Sequence, residues 1–81
     1  MITVNNDIYQ KMVYNPLDNE KIVNNSAYCI KCDSSLVSKD PFDLVICKCF
    51  NLKITGGLHR LEHRYINQLF YDSRSIVLID E

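Results

Sequence analysis

At 81 residues with a formal charge of −1, the chain has room for one small domain, and its charge balance argues against binding nucleic acid over the whole surface. No apolar run approaches the roughly 20 residues that span a bilayer, and residues 1–7 carry neither the basic nor the apolar region of a secretory signal. These readings predict a cytoplasmic protein without membrane contact. A domain this small has a marginal core and commonly relies on disulfides or a structural metal.

In chain order, residues 1–20 read as an N-terminal extension. Ile2 and Val4 could begin a strand. Asp7 with Gln10 resembles a helix capping box ahead of Ile8, Met12 and Val13, while the same stretch alternates as a strand does. Asn15-Pro16 ends either element, and residues 17–20 form a turn. Ile22 and Val23 fit a short strand that Asn24-Asn25-Ser26 loosens, and residues 29–32 form a tight knuckle. Residues 35–38 make a short strand and Lys39-Asp40-Pro41 a turn. Residues 43–47 are the most β-prone run. In residues 50–55, Phe50, Leu52 and Ile54 alternate with Asn51, Lys53 and Thr55, the pattern of a half-buried strand. Gly56-Gly57 supplies a sharp turn. From there Leu58, Leu61, Tyr65 and Leu69 are spaced as one face of a helix. Residues 76–79 form a last strand, and Asp80-Glu81 a solvated end.

The strongest motif is the cysteine pattern: Cys29-x-x-Cys32, then Cys47-x-Cys49. Two short thiol pairs and no leftover cysteine match a metal site better than a disulfide framework in a chain without secretion signals. Zinc accepts four thiolates in a closed tetrahedral shell. The second pair is tight: in extended chain its side chains point to opposite faces, so the backbone must turn at Lys48. A closed shell leaves no site for activated water, and its role is to stabilise the fold. His59 and His63 stand four apart, but no third ligand or catalytic glutamate accompanies them as in a zinc protease. No serine sits in a histidine–acid context, and Gly56-Gly57 lacks the rest of a phosphate loop.

Charge is uneven along the chain. Asp7, Asp18 and Glu20 outweigh Lys11 in the first twenty residues. Lys48, Lys53, Arg60 and Arg64 outweigh Glu62 in residues 48–64. The run Leu58-His59-Arg60-Leu61-Glu62-His63-Arg64-Tyr65 is dense in donors able to bind carboxylate or phosphate. Its alternative role is a solvated helix face.

Residues 21–64 also resemble a family of short proteins of phages and bacteria that carries no established activity. The resemblance rests on Asn25, Ala27, Cys29 and Cys32, then Ser38-Lys39, Asp43, Cys47 and Cys49, Asn51-Leu52, Gly56-Gly57-Leu58, Leu61 and Arg64. It implies a β-rich, zinc-ribbon-like protein encoded among phage accessory genes. Two positions depart from the pattern: Phe50 stands where it has glycine, and Thr55 where it has aspartate.

The combined expectation is a single α+β domain. Residues 1–20 form an extension. Residues 21–57 form a zinc-ribbon-like antiparallel sheet pinned by Zn2+ on Cys29, Cys32, Cys47 and Cys49. Residues 58–81 form a helix and terminal strand. The predicted function is a non-enzymatic interaction module that binds and inhibits a host defence or transcription protein. His59, Arg60, His63 and Arg64 are its outward contacts, with Leu58, Leu61 and Tyr65 facing the sheet. The alternatives are a nucleic-acid-binding zinc ribbon and a protein that sequesters a signalling nucleotide.

Overall fold

The computed structural model describes residues 9–79; the expected strand start at Ile2 and Val4, the cap at Asp7 and the acidic end lie outside them. The described chain is built from strands: β1 (Gln10–Tyr14), β2 (Glu20–Asn24), β3 (Ser26–Cys29), β4 (Ser34–Val37), β5 (Val45–Ile46), β6 (Leu52–Thr55), β7 (Leu61–Tyr65), β8 (Tyr71–Ser73) and β9 (Ile76–Ile79), with one 3-10 turn at Gln68–Phe70. They form an antiparallel four-stranded sheet β1-β7-β6-β5, a three-stranded sheet β4-β3-β8 and a two-stranded ribbon β2-β9.

The core lies between the two larger sheets. Ala27, Cys29, Leu36, Cys47, Leu52 and Ile54 are buried together, and Val45, Tyr65 and Tyr71 close over them. The period-two geometry of a strand sets who points inward. Along β3 and the residue before it, Asn25, Ala27 and Cys29 are buried, while Tyr28 is only half-buried. Along β6, Leu52 and Ile54 are wholly buried and Lys53 and Thr55 are not, as the alternation predicts.

The helix expected from residue 58 is absent, and the domain is all-β rather than α+β. Residues 61–65 are a strand in which Leu61 and His63 are buried while Glu62, Arg64 and Tyr65 are half-exposed. The helical spacing of Leu58, Leu61, Tyr65 and Leu69 is coincidental, since Leu58 and Leu69 are both exposed. Two effects override it. His63 counts as polar in a periodicity but is an inward residue here. In addition, β7 has a hydrogen-bonding strand on each side, β1 and β6, so its backbone groups are satisfied without a helix. Residues 10–14 resolve as the strand alternative, paired along their length with β7 at the edge of the sheet. The short β3, which follows the asparagines expected to loosen the chain, is held by β4 and β8.

Gly56 and Gly57 turn the chain from β6 toward β7 with φ of +107° and +55°. A Cβ on Gly56 would lie 2.0 Å from the Arg60 carbonyl oxygen, and one on Gly57 would lie 2.5 Å from the Asp40 carbonyl carbon. Asn25, fully buried, organises this loop. Its side-chain amide donates to the carbonyls of Thr55 (3.0 Å), Gly57 (2.8 Å) and Arg60 (3.2 Å). Ser38, also buried, accepts from the Gly57 amide and donates to the Asp43 carbonyl.

Asn25→Asp is expected to be strongly destabilising, by more than about 3 kcal/mol, although the two side chains have the same shape. The change turns a donor facing three carbonyl oxygens into an acceptor or a buried anion. Chemical denaturation of the metal-loaded proteins measures the difference.

Candidate metal centre and binding face

Each thiol pair is bound into the tight connection of a β-hairpin. Cys29 ends β3 and Cys32 lies in the turn before β4, whereas Cys47 follows β5 and Cys49 lies in the turn before β6. The two hairpins belong to different sheets, so the cluster joins the sheets turn to turn. The chain does turn at Lys48: the Phe50 amide donates to the Cys47 carbonyl at 3.0 Å. That turn puts both sulfurs of the tight pair on one side.

All four Sγ atoms lie within 4.8 Å of one another. Cys49 Sγ is 3.5 Å from that of Cys29 and 3.6 Å from that of Cys47. Sulfurs at the corners of a tetrahedron around an ion with 2.3 Å metal–sulfur bonds stand about 3.8 Å apart, so the donor set fits a four-coordinate metal. Among the described residues it is the one cluster of metal-ligating side chains.

The surroundings favour thiolate at some positions and thiol at others. The Ser34 hydroxyl, 3.2 Å from Cys32 Sγ, brings that thiol down to about 6, helped by the Cys49 amide. Burial pushes Cys29 up to about 12, against the Cys32 amide that bonds its sulfur. Burial also raises Cys47, whose sulfur accepts the Leu52 amide at 3.2 Å. Four thiols packed this closely cannot all ionise unaided. A divalent cation bound here would supply the missing charge and displace the protons, with the amide donors orienting the sulfurs.

The four residues expected as outward contacts separate. His59 is exposed in the loop between β6 and β7. Arg60 and Arg64 face solvent with about a third of each side chain accessible, and both bond the Glu62 carboxylate, at 3.3 and 3.0 Å. His63 is corrected: it is fully buried and is neither a surface contact nor half of a metal-binding pair with His59. Of the three residues expected to face the sheet, Leu61 is buried and Tyr65 stacks on Tyr71 at 5.0 Å, but Leu58 is exposed.

The bonds around His63 define its tautomer. Asn25 spends its amide on carbonyls, so its Oδ1 must accept from His63 Nε2, 2.7 Å away. Nδ1 is then the unprotonated nitrogen, and it accepts from the Tyr71 hydroxyl at 2.7 Å. Burial depresses His63 to about 4. The network links the residue ahead of β3 to β7 and β8, and sequence reasoning missed it because the three partners are far apart in the chain.

The register also places Lys11, Arg64 and Lys53 side by side across β1, β7 and β6. They lie on the face opposite Met12, His63 and Ile54. Lys11 and Lys53 were not among the expected contacts, because only pairing brings residues 11, 53 and 64 together. Lys53 also sits over the Tyr9 ring at 4.3 Å, and Tyr9 donates its hydroxyl to the Phe50 carbonyl.

Phe50 itself has a φ of +63° and is 61% exposed. A bulky residue in this left-handed region is strained by roughly 1–2 kcal/mol. Asp33, at the matching place after the first knuckle, has a φ of +54°, a conformation aspartate tolerates better.

Residues 21–65 match the family model described as a domain of unknown function, DUF7695. The chain belongs to that family. The matched DUF7695 segment contains all four cysteines, Asn25, the Gly56-Gly57 turn and His63, so it holds both connections between the two large sheets. No curated protein and no solved structure matches the chain. Among the described residues, no helix is long and apolar enough to cross a membrane.

Two outcomes are expected here. Metal analysis of native protein finds one divalent ion per chain. Replacing any one cysteine with serine abolishes cobalt–thiolate absorption at stoichiometric metal and unfolds the domain, because metal binding and folding are linked in such small proteins.

For His63, nitrogen NMR shifts are expected to show a neutral Nε2–H ring at neutral pH. Because its folded value lies below the unfolded value of about 6.5, its contribution to stability is present above 6.5. As pH falls toward 4, the unfolded chain takes up a proton that the folded chain refuses. That contribution, about 3 kcal/mol, is then lost.

Proposed function

We propose that the chain is a non-enzymatic, zinc-stabilised binding module that engages an acidic protein surface through the outer face of its four-stranded sheet. Zinc is assigned because four thiolates at tetrahedral spacing suit that ion, and a closed shell gives it a structural part. The observation that carries the reading is the row of Lys11, Arg64 and Lys53 on neighbouring strands. Like charges directly opposite one another on a sheet are destabilising, so the row is explained by a ligand better than by the fold. Glu62 offsets part of the charge and holds Arg60 and Arg64 in place.

Beside the row lies a depression of about 250 Å³ walled by Phe42, Leu44, Lys53, Arg60 and Arg64, in which Phe42 is 92% exposed. Exposed aromatics next to arginine are the composition of protein-binding hot spots. Phe50 adds a strained, exposed ring at the Tyr9–Lys53 end; strain of this kind concentrates at functional positions. The resemblance to short phage proteins supports a host defence or transcription component as the owner of the acidic surface.

A second reading, single-stranded nucleic acid, is favoured by the same cations standing among Tyr9, Phe42 and Phe50, since such ligands combine phosphate pairing with base stacking.

The test is affinity capture from host lysate with metal-loaded wild type, Lys11→Glu/Lys53→Glu and Phe50→Gly, beside titration with a mixed-sequence single-stranded oligonucleotide. An acidic protein should be retained by wild type and lost from both variants. Phe50→Gly should at the same time gain about 1 kcal/mol of stability from relief of backbone strain, separating binding from folding. Retention by both variants removes binding from this face. Oligonucleotide affinity that falls with salt at a log–log slope of about −0.7 per phosphate, with no protein captured, selects the second reading.

A further inference from the structure

The β2-β9 ribbon is the least supported part of the fold. The two strands pack chiefly on each other, and a two-stranded antiparallel unit is marginal in water without a third strand or a covering element. Only one side of the ribbon is sheltered: Ile22 is buried and Val77, its cross-strand partner, half-buried. Ile76, Leu78 and Ile79 are 49, 55 and 65% exposed.

The two edges of the ribbon differ in kind. β2 carries Glu20 and Lys21, and its pairing with β9 is broken by a bulge between Ile22 and Asn24. Charges and bulges are the devices by which an edge strand resists further pairing. β9 has none of them. It reads Ile-Val-Leu-Ile, without charge, proline or glycine, and among the described residues no strand pairs with its far edge. An apolar, unprotected edge of this sort is a template for another strand.

The charges flanking β9 indicate which strand. Arg74 precedes it, ion-paired with Asp72 at 2.8 Å but still 59% exposed, and Asp80 and Glu81 follow it in sequence. When a second β9 pairs antiparallel, the basic end of each strand meets the acidic end of the other. A parallel pairing puts like charges together. The arrangement is therefore self-complementary about a two-fold axis, the commonest symmetry of soluble dimers.

We propose that the chain forms a two-fold dimer by antiparallel pairing of β9 with β9 of a second copy. The result is a continuous four-stranded sheet, β2-β9-β9-β2, with the protected β2 edges outermost. Closure by symmetry satisfies the unprotected edge and leaves no further edge open to growth. It also brings the exposed leucine and isoleucines of the two ribbons alongside one another as cross-strand neighbours. The dimer does not use the four-stranded sheet face, so its failure and that of the binding reading are separable.

The test is sedimentation equilibrium of the full, metal-loaded chain across a wide concentration range, with hydrogen exchange of the Ile76–Ile79 amides measured in parallel. A monomer–dimer equilibrium is expected, and those amides should slow as the dimer fills. Leu78→Lys places a charge in the paired strand but also opposite Lys21 of the same ribbon, so Leu78→Glu, which meets that lysine with the opposite charge, is measured beside it. Both should weaken association by at least about tenfold with metal content unchanged. Arg74→Glu should weaken it also, and more so at low salt. A wild type that stays monomeric throughout overturns the proposal. So does a dimer that survives Leu78→Lys with the Ile76–Ile79 amides exchanging as in the monomer.

Discussion

Where the two larger sheets join, four sulfur atoms are brought within 4.8 Å of one another. The cluster is where the turns of two hairpins converge, and those hairpins belong to different sheets. Of the six fully buried residues in the core cluster, two are cysteines of this group. Without an ion, the four thiols are held apart by mutual repulsion whenever they ionise, and burial keeps Cys29 and Cys47 protonated. A cation bound there would reverse the sign of that interaction and tie the two sheets together through all four sulfurs. In comparable small domains such binding is on the order of 10–16 kcal/mol, which is more than a core this small supplies.

A second attachment runs through Asn25 and His63. Asn25 sits just ahead of β3, two positions from Ala27 and four from Cys29, so one strand face presents the polar hub at one end and the first thiol at the other. The amide of Asn25 gathers the turn between β6 and β7, and its oxygen fixes His63, which in turn holds Tyr71 of β8. A buried polar network is stabilising only when every member is satisfied. Here each bond determines the next, so the network also fixes the register of β7. With His63 inward, Glu62 and Arg64 have to face outward, and the cation row of the outer face follows from the same register.

The domain thus divides into an internally bonded interior and two features that folding alone does not require. The outer sheet face carries adjacent like charges and a strained, exposed Phe50. The ribbon carries an apolar edge with no protection. On the sheet face Glu62 and the Tyr9 ring offset the charges only in part, and on the ribbon no described strand covers the edge; such conflicts are where function is expected in an otherwise consistent fold.

The sequence by itself determined the four-thiol site, the turns at Lys48 and Gly56-Gly57, and the strands around Ile22, Leu36, Ile54 and Val77. These are legible because ligand spacing, glycine and period-two alternation are local. The glycine-to-phenylalanine departure at position 50 was also visible, although its meaning waited on the positive φ found there. Tertiary structure alone decided the identity of residues 61–65. A histidine within a run of charges reads as surface. It becomes interior only when Asn25, 38 residues earlier, and Tyr71 take up both ring nitrogens. Strand pairing, which has no signature in any short window, likewise brought Lys11 beside Arg64 and Lys53 and, among the described residues, left the far edge of β9 open.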